Sequence, residues 1–155
     1  MSYNSLHQQQ QYAAYTLAHQ TTENKTQQIV MLYDGMMQHI HRARKAILEQ
    51  RIEERYKILE KVSQIITGLQ ASLDFEQGGE ISMILDRYYD IIFSKIHTIN
   101  RENSVESCDA LLEELKAMRS AWQSVHEETT VKASQQKNST SAHPSDSNNN
   151  LQVSV

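Results

Sequence analysis

Seven histidines, one cysteine and nineteen acidic side chains are the groups with which this 155-residue chain could do chemistry. A helical di-iron centre needs Glu-x-x-His on inward helix faces, and no Asp or Glu here has a His three residues later. His39 and His41 are two apart, which puts them on different faces of a helix. His97 and His126 have no neighbouring ligand set, so each histidine reads as solvated or packed. Asp74, Glu76 and Glu80 cluster like the start of a calcium loop, but the spacing is too short and the twelfth-position Glu is missing. There is no glycine-rich phosphate loop and no nucleophile elbow. Cys108 falls on an apolar helical stripe and reads as a small core residue rather than a nucleophile. The expectation is a protein without catalysis, metal or cofactor, whose function is sought in binding.

Composition narrows what it binds. A net charge of −4 offers no concentrated basic surface for nucleic acid. Arg42, Arg44 and Lys45 form the one basic cluster, and Glu49, a turn beyond Lys45, makes it a solvated face with ordinary pairing. No signal peptide is visible, no run approaches 18 apolar residues, and a single cysteine suits a reducing compartment, so a cytosolic protein without membrane insertion is expected.

Four glycines and one proline among many Leu, Ile, Glu, Gln, Lys and Arg predict an all-α chain. Residues 1–23 are polar and glutamine-rich, with Tyr12, Ala14, Tyr15 and Leu17 as the only apolar anchors, and read as an N-terminal arm. A first helix begins at Asn24, with Gln27 as capping partner, and buries Ile29, Tyr33, Met36, Ile40, Ala43 and Ile47. A phase jump near residues 48–52 opens a second stripe of Ile52, Arg55, Leu59, Val62, Ile66, Leu69 and Leu73. Gly78 and Gly79 predict a tight reversal into a third helix carrying Ile81, Leu85, Tyr88, Ile92 and Ile99. That helix should stop at 100–103, where Ser104 caps a fourth bearing Cys108, Leu111, Leu115, Met118, Trp122 and Val125. The expected fold is an antiparallel up-down four-helix bundle over 24–128. Residues 129–155, rich in Ser, Thr, Asn and Gln, lack the apolar surface to offset ordering and read as a disordered polar tail.

Surplus apolar surface is the lead to a partner. The third helix adds Tyr89, Phe93 and Ile96, plus Ile84 and Ile91, outside its stripe, and the second adds Ile58 and Ile65, with Gly68 allowing close approach. Either bundle helices bury a wide face against two neighbours, or these residues with Leu69 line a groove for an amphipathic segment, covered by Tyr12 and Tyr15.

Leu73-Asp74-Phe75-Glu76-Gln77-Gly78-Gly79-Glu80 resembles the central turn of the flagellar secretion chaperone family. Tyr12-Ala13-Ala14-Tyr15, Met31-Leu32-Tyr33-Asp34-Gly35, Arg42-Ala43-Arg44 and Ala121-Trp122 are similar to that family's other motifs, in its order and spacing, across about residues 12–127. Two departures stand out. The family usually opens its first helix with Ser-Pro where this chain has Asn24-Lys25, which predicts a looser hinge, and the long polar tail is outside the common pattern. The resemblance implies an ATP-independent export chaperone. It would bind the unfolded C-terminal segment of flagellin, prevent premature polymerisation and deliver the client to the flagellar export gate. A monomer or weak homodimer is expected. The competing class is a helical adaptor or regulator that binds a folded partner or self-associates through the third helix.

Overall fold

Four α-helices in a ring make the molecule: α1 (Tyr3–Leu48), α2 (Ile52–Ala71), α3 (Phe75–Glu102) and α4 (Val105–Ser141). The computed structural model describes the backbone of residues 3–141 and the side chains of 24–140. Each helix packs on its two neighbours in the ring, and among the described residues the diagonal pairs make no backbone contact. Polar cross-links fix the direction of the helices. Thr26, Asp34 and Arg44 of α1 meet His126, Arg119 and Asp109 of α4, so α4 descends as α1 rises. Arg55 and Gln70 of α2 meet Asn100 and Asp86 of α3 in the same opposed sense.

The four expected stripes build the core. Tyr33, Met36, Ile40 and Ala43 from α1 join Leu59, Val62 and Ile66 from α2, Ile92 and Ile99 from α3, and Cys108, Leu111 and Leu115 from α4. Each large apolar side chain so enclosed contributes about 1.5–3 kcal/mol over leaving it in water. Arg55 also belongs there: its guanidinium reaches Asn100 at 3.2 Å and Asn103 as well, which satisfies a buried charge. The α3 stripe differs from expectation. Ile81 is exposed, and the buried line runs Ser82, Tyr89, Ile92, Ile96, Ile99, with Leu85 and Tyr88 half-buried.

The corners explain themselves locally. α1 ends in a Schellman turn: Arg51 N–H bonds the Ala46 carbonyl at 2.8 Å and Gln50 N–H bonds Ile47 at 3.1 Å. The left-handed position is Gln50, φ 58°, rather than a glycine, which is why only the phase jump marks this corner in the sequence. At the far end of α3 the left-handed residue is Asn103, φ 50°, and Ser104 caps α4 by accepting from Ser107 N–H at 3.0 Å, as expected.

The glycine pair does not form the α2–α3 connection, which is Ser72–Asp74. Asp74 caps α3 by accepting from the amides of Glu76 and Gln77, both at 3.0 Å. Gly78 and Gly79 lie one turn inside α3, where Gly79, at φ 49° and ψ −123°, breaks the helix. That backbone region is open to glycine and strained for other residues.

Two further boundaries move. α1 does not start at Asn24 but runs unbroken from Tyr3, because no proline stands at 24–25 to interrupt it, and the expected hinge is replaced by continuous helix. α4 does not stop at Glu128. Residues 129–141 contain neither glycine nor proline, and Thr129, Thr130, Ser134 and Thr140 donate to carbonyls four residues earlier. His126, Thr129, Thr130 and Ala133 are half-buried at helical spacing. Polar composition there leaves the helix solvated on its other faces rather than abolishing it. Residues 142–155 of the expected tail lie outside the described residues, as do the side chains of Tyr12 and Tyr15.

Candidate partner-binding surface

The groove residues read from sequence divide in two. Ile58, Leu69, Tyr89 and Ile96 are core, each 2–3% exposed, and Ile65 and Phe93 are half-buried against that core. Phe93 shares its stripe of α3 with Asp86, Asp90 and Asn100, the side that bonds α2. The bundle therefore accounts for most of the apparent surplus, because each helix must cover two neighbours and the centre. Gly68 likewise serves no close approach, since a Cβ there would meet nothing within 4 Å. The proposed cover by Tyr12 and Tyr15 lies outside the described side chains.

What stays in solvent is the other flank of α3. Ile84 is 59% and Ile91 53% exposed, seven residues apart on one face, with Ile81 beyond them beside the Gly79 break. The Lys95–Glu114 ion pair sets the antiparallel register of α3 on α4. Carried along the helices, that register brings the Ile84/Ile91 flank beside exposed Ala117, Ala121 and Val125 of α4. Between the two rows lie half-buried Tyr88, Met118 and Trp122. This seam is also where neighbouring helices make their least extensive contact. Large apolar side chains on one bank and small ones on the other give a shallow trough suited to the apolar face of a helix. Ile84 and Ile91 were legible as off-stripe residues. The α4 bank was missed because isolated alanines carry no signal of exposure, and Val125 was expected inside.

Beneath the seam is an aromatic cluster. Tyr33 of α1 reaches across the bundle towards Tyr88, Tyr89 and Trp122. The Tyr88 and Tyr89 ring centroids are 5.7 Å apart and tilted by 60°. Burial, followed by the charges of Tyr89 and Tyr88, holds the Tyr33 phenol far above its ordinary pKa. Burial and then the Glu114 carboxylate push Tyr88 up to about 12. The Tyr33 hydroxyl couples to Tyr88, Tyr89 and the Trp122 indole N–H, so the polar atoms of the cluster face one another inside the bundle.

Elsewhere the chemistry is quiet. Burial, followed by Asp109, pushes the Cys108 thiol up to about 11, which suppresses its nucleophilic form. Burial and then the positive charges of Arg42 and Lys61 lower the His39 pKa. Among the described residues no three His, Cys, Asp or Glu converge on a metal position. No described helix is long and apolar enough to cross a membrane. A groove of about 650 Å³ between α1 and α4 is bordered by Asp34, Asp109, Lys116 and Arg119. Its floor includes Met37 and Leu112, and the Asp34–Arg119 pair, 2.7 Å, bridges the two helices there.

The described residues form an all-α helical bundle with an exposed apolar trough between α3 and α4. Residues 8–129 match the family model described as "Flagellar protein FliS", and the chain belongs to that family. It is 30% identical over 120 residues to the flagellar secretion chaperone FliS of Campylobacter jejuni, covering 77% of this chain and 94% of that one. It is 28% identical to the flagellar secretion chaperone FliSB of Pseudomonas aeruginosa over 116 residues, 74% of this chain and 92% of that one. It is 31% identical to the FliS of Salmonella typhimurium over 100 residues, 64% and 74% of the two chains. The matched region ends at residue 129, so most of the α4 extension lies beyond it.

Proposed function

We propose that this protein is a cytosolic export chaperone that binds the C-terminal segment of flagellin stoichiometrically, keeps it from polymerising early and hands it to the flagellar export gate. Membership of a family whose relatives are named flagellar secretion chaperones supports the role. The single structural observation that carries it is the exposed Ile84/Ile91 flank of α3 facing the alanine bank of α4. An amphipathic client segment laid there buries its apolar face, and sequestering that face in a stoichiometric complex removes it from subunit–subunit contacts. No nucleotide is required for such a mechanism: binding energy comes from burial, and release comes from the receiving partner. The same flank supports the second reading, self-association through α3, because a second copy would also cover it.

Ile84→Glu together with Ile91→Glu places two charges on the trough without touching the core. Circular dichroism should show an intact bundle, and calorimetric titration with a purified flagellin C-terminal segment should show binding lost. Unchanged affinity would remove the trough from the mechanism. A variant that loses a dimer detected by sedimentation, with flagellin binding intact, would favour self-association.

A further inference from the structure

The two longest helices outrun the other two at the same end of the bundle. Arg44–Asp109, Asp34–Arg119 and Thr26–His126 hold α1 and α4 in one antiparallel register, each step up α1 matched by a step back along α4. Continued beyond Thr26, that register sets Thr130 level with Thr22, Ala133 with His19 and Ser139 with Ala14. α2 has ended at Ala71 by then, and the Lys95–Glu114 pair puts the Gly79 break of α3 level with Thr130. α1 and α4 also share the most extensive contact of any helix pair.

We propose that the α4 extension is a holder for the N-terminal half of α1: its half-buried face docks residues 14–23 of the same chain, keeps them helical and keeps them clear of the α3–α4 trough. His126, Thr129, Thr130 and Ala133 form that face, whereas Val131, Lys132 and Ser134 around it are exposed. It prolongs the side of α4 through which Arg119 and His126 reach α1. Ala117, Ala121 and Val125, which bank the trough, lie about a third of a turn away around the helix. One helix thus serves two neighbours by two different faces.

The polar composition of both segments explains why each needs the other. A helix standing alone in water is marginal at this length, because nucleation is costly and most helical stability comes from packing. Residues 3–23, with their Gln8–Gln11 run, nevertheless continue α1 without a break, and Val131–Ser141 continue α4. Side by side, each supplies the surface against which the other packs. The family match stops at residue 129, so most of the holder is an addition of this chain. Its consequence is a trough with no segment of its own chain to displace, whatever fills it.

Hydrogen exchange on the full chain and on a chain shortened after Glu128 tests the holder. Amides of residues 14–23 should exchange at least about tenfold faster in the shortened chain, with residues 29–125 unchanged. Thr130→Glu together with Ala133→Glu keeps the length, charges the docking face and should give the same result, and it carries the test if the shortened chain fails to fold. Equal exchange of 14–23 in wild type and variant overturns the holder. Placement is read by nitroxide pairs, with buried Cys108 left in place. A label on Ala14→Cys should lie at neighbouring-helix distance from one on Ser139→Cys and far from one on Ile91→Cys, whose level on α4 is about 30 Å lower. Ala14 closer to Ile91 than to Ser139 would put the segment over the trough and equally overturn the holder.

Discussion

Gly78 gives the sharpest test of how α3 begins. Its backbone is helical, so replacing it with Ala should on propensity alone stabilise the protein by about 1 kcal/mol. The structure opposes that gain. A Cβ at Gly78 would stand 1.8 Å from Ser82 Oγ and 3.0 Å from its Cβ. Ser82 is buried, and its hydroxyl donates to the Asp74 carbonyl at 2.8 Å, spanning the break at Gly79. To admit the methyl, the hydroxyl must swing away, losing that bond and leaving a buried donor unpaired, about 1–3 kcal/mol. The net expectation for Gly78→Ala is a destabilisation of about 1 kcal/mol, read by urea denaturation followed by circular dichroism. Adding Ser82→Ala removes the obstructing oxygen, so the double variant should recover stability relative to Gly78→Ala, a coupling measurable in a double-mutant cycle. Gly78→Ala more stable than wild type would refute the close packing described here.

Gly79→Ala should cost about 1–3 kcal/mol, because φ 49° with ψ −123° is strained for any residue with a Cβ; an unchanged denaturation midpoint would contradict that backbone. Phe93→Glu should destabilise by at least about 2 kcal/mol, since it drives a charge into the half-buried face packed on the core, whereas Ile84→Glu should stay within about 0.5 kcal/mol of wild type; equal effects would show the two flanks of α3 to be misassigned. Gln50→Gly should stabilise by up to about 1 kcal/mol by relieving the left-handed strain at the α1–α2 corner, checked by thermal midpoint. Cys108 and Tyr88 titrate higher in the folded state than in the unfolded chain, so the protein binds more protons when folded. Their stabilisation is present below about pH 9 and is lost as pH rises through about 11 and 12; a thermal midpoint flat from pH 8 to 11 would contradict this.

The bundle was legible because its core obeys one period. Tyr33, Met36, Ile40, Leu59, Val62, Ile66, Leu111 and Leu115 fall where alternating steps of three and four put them. The exposed flank of α3 was less legible, because periodicity reports which faces are apolar and not which neighbour covers them. Tyr89 and Ile96 lie only a little off the main line of α3, well within the wide face a bundle helix buries, whereas Ile84 and Ile91 lie on its far flank. Composition misled at both ends of the chain for a related reason. A polar segment without glycine or proline keeps its backbone helix even when it has little to bury, as Thr129 to Ser141 does. The glycine pair was correctly singled out but given the wrong task, since Asp74 makes the turn and Gly79 breaks the helix after it.

The polar cross-links divide the bundle unequally. α1 is tied to α4 at three levels, by Thr26–His126, Asp34–Arg119 and Arg44–Asp109. α3 is tied to α2 at both ends, by Arg55 to Asn100 and Asn103 and by Gln70 to Asp86 and Asp90. Across the remaining long edge only Lys95–Glu114 joins the two halves among the described residues. The polar cross-links thus pair α1 with α4 and α2 with α3, while apolar packing joins α1 to α2. Separating α3 from α4 would leave every other polar cross-link intact, so along that edge it is the apolar packing of one continuous core, more than the half-exposed ion pair, that holds the bundle shut.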